Sequence, residues 1–198
     1  MARKTLKIDA VNRILSNIGQ SPVTVLDSGN PLVEMAETVL DEVNSSVQSE
    51  GWVFNTEYGF PMYPNSDGHI AIPVNVLALD AKTLSDSFLI IRDRKLYDKA
   101  RHTYVFEGKQ ELDIVWLFDF NDIPEAFRNY VTIRAANVFA GRSVGSSEAV
   151  SFGQREEVLA RATAIEYDCQ QGDYNIFQNK DGYTTHPTYK PINAIPRF

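Results

Sequence analysis

The chain has 198 residues, of which 43% are hydrophobic and 23% charged, with a formal charge of −7 and a sequence pI of about 5.0. That is enough apolar mass for a core in one domain, or one domain with a small annex. Acids outnumber bases 26 to 19, which argues against a module that grips nucleic acid, since such a module needs Lys and Arg to displace the counterions around phosphates. An acidic wall beside passing DNA is compatible with this balance, because like charge prevents sticking.

Basic residues in the first seven positions are followed by no apolar stretch of signal length. No window approaches the roughly 20 apolar residues of a membrane span. The expectation is a protein made in the cytosol, soluble before assembly and not inserted in a membrane. Its single cysteine, Cys169, excludes an internal disulfide and is expected to behave as a small buried hydrophobe.

In chain order, Ile8, Val11, Ile14, Leu15 and Ile18 recur at helical spacing and Gly19 supplies a stop. Polar and breaker residues then mark a loop to Asn30, which can cap a helix carrying Pro31 at its first position and Glu34 in its first turn. Leu32, Met35, Ala36, Val39, Leu40, Val43 and Val47 form the apolar stripe of that helix, which should reach about Glu50 and end near Gly51.

From residue 52 to 118 short runs of Val, Ile, Phe and Tyr alternate with Gly, Pro, Asn and Asp. Strands are predicted at 53–54, 58–63, 70–72, 76–79, 88–91, 95–97, 104–106 and 112–118, with turns at 65–68 and 107–109. The last run is apolar on both faces after Asp113, which suits a buried strand tying the sheet to the helices.

A third helix should follow, capped by Asp122 with Pro124 and Glu125 in its first turn. Ala135, Ala136 and Ala140 along it would permit close packing. A fourth helix starts either at Ser147 or near Ser151, with Gly153 counting against a continuous run. Its expected inner face holds Val158, Leu159, Ala162, Ile165 and Cys169. Residues 173–198 lose helical periodicity but keep Tyr174, Phe177, Tyr183, Tyr189 and Phe198, an aromatic content foreign to a solvated terminus. They read either as a disordered terminus or, as the aromatics favour, as an extended C-terminal arm whose rings anchor on a partner.

The predicted fold class is therefore α+β. A bundle of about four helices (1–51 and 119–172) carries an inserted β-rich segment (52–118) and the arm (173–198). Trp52, Phe54, Trp116 and Phe127 are its expected core aromatics.

Reactive chemistry finds little support. His69, His102 and His186 are far apart and match no metal spacing. Gly141-Arg-Ser-Val-Gly145 lacks the phosphate-loop pattern, and no Gly-x-Ser-x-Gly occurs. No cofactor is implied. A glycan-cleaving site needs two acids flanking the bond, whereas Glu34, Glu37, Asp41 and Glu42, or Glu156 and Glu157, read as solvated helix faces. Arg92, Arg94, Lys95, Lys99 and Arg101 form a local basic cluster interleaved with Asp93 and Asp98. Such a cluster guards a hairpin edge, contacts an acidic surface on a neighbouring subunit or, as a third reading, faces DNA.

Several ordered motifs carry a family resemblance. Gln48-Ser-Glu-Gly-Trp-Val-Phe-Asn55 precedes Arg94-Lys-Leu-Tyr-Asp98, which is followed by Leu112-Asp-Ile-Val-Trp-Leu-Phe118, Asp119-Phe-Asn-Asp-Ile-Pro-Glu-Ala-Phe-Arg128 and Tyr130-Val-Thr-Ile-Arg-Ala-Ala136. With Val11 to Val23 and Gly172-Asp-Tyr-Asn175, this block resembles the tail tubular protein A family of autographivirus-type podophages up to about residue 177. The resemblance implies a non-enzymatic virion protein of the phage tail, assembled in the host cytoplasm. It implies a homo-dodecameric gatekeeper ring that adapts the portal protein to the nozzle (tail tubular protein B). That ring would line the DNA ejection channel without binding DNA specifically. Two alternatives remain at this point: a cell-wall glycan hydrolase of the tail, alone or as a second activity, and an unrelated soluble binding module.

Overall fold

The computed structural model describes residues 4–27, 29–81, 88–143 and 147–172, with the backbone alone for 147–152. Its elements are α1 (Lys7–Asn17), α2 (Pro31–Gln48), β1 (Thr56–Met62), β2 (Val76–Ala81), β3 (Leu89–Arg92), β4 (Lys95–Asp98), β5 (Gln110–Trp116), α3 (Glu125–Ser143) and α4 (Ser147–Gly172). The fold is α+β, with four helices and antiparallel strands among the described residues.

The helix ends follow local chemistry. Asn30 caps α2, its side chain accepting a 3.0 Å hydrogen bond from the Leu32 amide, and Pro31 costs nothing at the first position, where an amide would be unpaired anyway. Gly19 adopts φ 74° just past α1, and the amides of Gly19 and Gln20 return to carbonyls of the last turn. Helix α3 begins at Glu125, later than a cap at Asp122 predicts. The Asp122 amide closes a turn onto the Asp119 carbonyl, and the Pro124 carbonyl receives the first helical hydrogen bonds. Helix α4 runs unbroken from Ser147 through Gly153. A Cβ at Gly153 would lie 2.0 Å from Asn137 Oδ1, so the glycine marks the close approach of α3.

Strand β5 lies between β1 and β2, antiparallel to both. Beside it, β3 and β4 form a hairpin with Leu89 opposite Asp98 and Arg92 opposite Lys95. Three predicted strands are not strands. Residues 53–54 lie in a turn at the end of α2. Residues 70–72 and 104–106 make only isolated bridges, although the segment at 70–72 runs along β4 through Leu96 N–H to Ile70 and Ile72 N–H to Arg94. These segments are too short and bent for a regular ladder.

Two hydrophobic clusters form. One joins all four helices with Trp52, Phe120 and Ile123, and includes Ala135 and Ala136 of α3. The other collects Met62, Ile70, Ile72, Leu89, Leu96, Phe106, Leu112 and Ile114. Helix α4 joins the first cluster through Ala160 and Ala164, not through its larger apolar residues: Val158, Leu159 and Ile165 are 67%, 70% and 42% exposed, and Cys169 is exposed. The reason lies in the opposite face. Small residues admit α3 closely, and polar ties fix the helix there: Glu157 to Asn137 and Arg134, Arg161 to Glu50, and Asp168 to the Val53 amide.

Candidate interface surfaces

The motif 48–55 is a buried polar joint. Gln48 accepts the Phe118 amide at 2.8 Å and donates to the Phe118 carbonyl at 2.8 Å, so one side chain closes both backbone groups where the chain leaves β5. Asn44 donates to the same carbonyl. Asn55 donates to the carbonyls of Gln48 and Trp116 and accepts the Trp52 amide. Gln48 also donates to Asn44 Oδ1, so each buried amide is paired at both ends, and each reaches a backbone carbonyl at long sequence separation, which is how buried polar groups avoid a desolvation penalty. Gly51 sits between them at φ 75°, a backbone state that only glycine takes without strain.

The aromatic residues of this joint pack inward. The ring of Phe127 lies 4.9 Å from Trp52, 4.6 Å from Phe54 and 6.2 Å from Tyr167. Trp52 Nε1 donates to the Val47 carbonyl. Trp116 belongs to the other cluster, edge-on to Phe60 at 5.5 Å, with its buried Nε1 left without a partner.

Arg128, the last residue of the motif 119–128, is buried and donates to the carbonyls of Ile123, Thr5 and Asn121. It fastens the N-terminal segment to the start of α3. Asn121 Oδ1 accepts the Lys7 amide at 2.9 Å and so holds the first turn of α1. The roles of Gln48, Asn44, Asn55 and Arg128 are invisible to hydrophobic periodicity. For Asn44, Gln48 and Arg128 the one local signal is a polar residue inside an otherwise apolar helix face, and Asn55, in the turn before β1, carries no such signal.

The basic cluster occupies the β3–β4 hairpin but does not converge. Arg92, Arg94 and Lys95 surround a two-residue turn in which Asp93 and Arg94 both have positive φ, 54° and 56°, as a primed hairpin turn requires. Arg92 lies over the Tyr97 ring at 4.2 Å, and Lys95 is half-buried with Nζ 3.5 Å from His69 Nδ1. Tyr97 and Tyr104 stack 4.7 Å apart beneath, and Tyr104 donates to Asp93. Lys99 lies at the far end of β4, roughly 13 Å along the strand from Lys95 by the usual rise. Its neighbourhood is Phe88, whose carbonyl accepts the Lys99 amide. Among the described residues the side chains of Arg94 and Lys99 have no partner, and both are exposed. Tyr174, Phe177, Tyr183, Tyr189, Phe198 and His186 lie outside the described residues.

Of the helix-face acids considered for catalysis, Glu37, Asp41, Glu42, Glu156 and Glu157 serve as ties. Lys7 spans Glu37 and Asp41, Arg142 meets Glu42, and Arg13 meets Glu156. Arg161 binds both oxygens of Glu50, and these hydrogen bonds, with one to Tyr130, raise its pKa further above the ordinary value. An open cleft of about 410 Å³ beside the hairpin is lined by Asp98, Arg101, Glu107 and apolar neighbours. Asp98 there accepts the amides of Ala100 and Arg101 and shapes the turn after β4. Among the described residues no group of three His, Cys, Asp or Glu is placed to hold a metal ion, and no helix is long and apolar enough to cross a membrane.

A chain whose most constrained polar residues clamp one segment to another, and whose exposed features are a cationic hairpin and an apolar helix face, has the build of an assembly subunit. The comparisons give that class its identity. A family model described as tail tubular protein matches residues 8–174. Tail tubular protein A of Klebsiella phage KP34 is 33% identical over 156 residues, spanning 76% of this chain and 81% of the relative. The chain belongs to the tail tubular protein family and is a structural component of a phage tail.

Proposed function

We propose that this chain forms the adaptor ring of a short phage tail, a homo-dodecamer seated between portal and nozzle and surrounding the DNA exit channel. The observation that carries the reading is membership of the tail tubular protein family along most of the chain. The division of labour follows from the architecture. The helical part (1–51 and 119–172) provides the rigid body, held by the joint at Gln48 and Asn55. The β-rich part (52–118) carries the cationic hairpin outward.

A copy of this chain is itself acidic, at −7, so the tip bearing Arg92, Arg94 and Lys95, with Lys99 further along, is attracted to a neighbouring copy. Such complementarity sets register and association rate more than raw affinity. A head-to-tail contact of this kind closes into a ring when its rotation permits. The same net charge leaves passing DNA without a binding surface. The rings of Tyr174, Phe177, Tyr183, Tyr189 and Phe198 are anchors for the portal or nozzle. Assembly takes place in the host cytoplasm and the product resides in the virion tail.

The test is electron microscopy of the purified chain mixed with its cognate portal protein. Twelve-fold rings stacked on the portal are expected. Absence of co-assembled rings, or a cyclic order other than twelve, overturns the corresponding part of the proposal.

A further inference from the structure

Helix α4 turns an apolar stripe to solvent. Val158, Ala162, Ile165 and Cys169 follow one another at spacings of four, three and four, which aligns them on one side of the helix, with Leu159 adjoining. All five are exposed. The stripe is not a spare part of the core, because the opposite side of α4, with Ala160 and Ala164, is already packed against the other helices. An apolar strip on a surface helix is an unpaid transfer cost in water unless something covers it.

The chain supplies a cover. Residues 173–198 begin one residue after α4 ends and four after Cys169. They hold five aromatic residues in 26, a density against solvation. Fully extended they reach roughly 85 Å, whereas α4 is about 39 Å long, so half the segment suffices to run back along the stripe. A tethered segment meets its target at millimolar effective concentration, which a second copy of the chain does not match in dilute solution. The family match ends at residue 174, so all of this segment but its first two residues lies beyond the part shared with the family model.

We infer that, in the free subunit, the C-terminal segment 173–198 lies on the outer face of α4 of its own chain, its aromatic rings covering Val158, Leu159, Ile165 and Cys169. The inference is independent of ring formation.

Cys169 is the single thiol of the chain and sits on the stripe, so its reaction with a disulfide reagent reads the cover directly. The full-length chain is compared with a full-length variant bearing Tyr174→Ser, Phe177→Ser, Tyr183→Ser, Tyr189→Ser and Phe198→Ser, and with Val158→Lys, a change at a position already open to solvent. Both variants are expected to react at least tenfold faster than the parent, and the parent's rate is expected to hold over a hundredfold range of protein concentration. Equal rates in parent and tail variant overturn the inference. So does acceleration by the tail variant without acceleration by Val158→Lys. Protection that strengthens with protein concentration overturns it too, and assigns the cover to a second copy.

Discussion

The joint at the end of α2 and the tip of the β3–β4 hairpin are both made of polar side chains, and they use them in opposite ways. At the joint, Gln48, Asn44 and Asn55 are buried and each amide is matched to backbone more than a helical turn away. At the tip, Arg92 and Arg94 are exposed on a turn with two non-glycine residues in the left-handed region, and Arg94 has no partner among the described residues. Saturated inward polarity fixes one chain in one shape. Arg92 still rests on the Tyr97 ring, whereas the outward polarity of Arg94 contributes little to that shape and is available to another molecule.

The sharpest way to break the comparison is to damage the joint. Phe127→Ala removes the ring shared by Trp52, Phe54 and Tyr167, and is expected to cost about 3–5 kcal/mol in urea unfolding. A loss under about 1 kcal/mol would mean that the aromatic group does not organise the helical core. Gln48→Leu keeps the volume but strands the Phe118 amide and Asn44 Oδ1, while Asn44 still donates to the Phe118 carbonyl. The expected cost is about 2–3 kcal/mol, and an unchanged urea midpoint would show that the joint is dispensable.

The tip should respond in the other direction. Arg94→Gly relieves the positive φ and is expected to raise stability by about 0.5–1 kcal/mol in the same measurement. Destabilisation would show that the side chain holds the hairpin. The double change Arg92→Glu with Arg94→Glu gives up the contact of Arg92 with the Tyr97 ring and is expected to cost no more than about 0.5–1 kcal/mol. Its effect on assembly should be large, with at least a tenfold loss of rings counted on portal by electron microscopy. Unimpaired rings would remove the hairpin from the interface.

The apolar periodicity of α1 and α2, the Asn30 cap with Pro31, and the alanines of α3 were legible because each acts within one or two turns of its own helix. The apolar faces of 112–118 made a strand there legible, but its place between β1 and β2 was decided by the tertiary structure. The fourth helix was not. Its largest apolar residues, Val158, Leu159 and Ile165, and Cys169 with them, suggested the packed side, and the structure turns that side outward. The basic residues were grouped correctly in sequence, but the strand rise separates Lys99 from the tip. Residues 53–54, expected to be a strand, form the turn that carries Phe54 beneath Phe127.

The amino-acid sequence alone determined the α+β class, the helix limits to within a few residues, and, through its ordered motifs, the family. Those properties depend on backbone preference, capping and local spacing, which act among neighbours in the chain. Only the tertiary structure decided that Gln48 and Asn55 close the end of β5, that Arg128 fastens Thr5, and which side of α4 faces the other helices. These are pairings between residues up to 123 positions apart, and no local pattern encodes which distant carbonyl a buried amide or guanidinium will find.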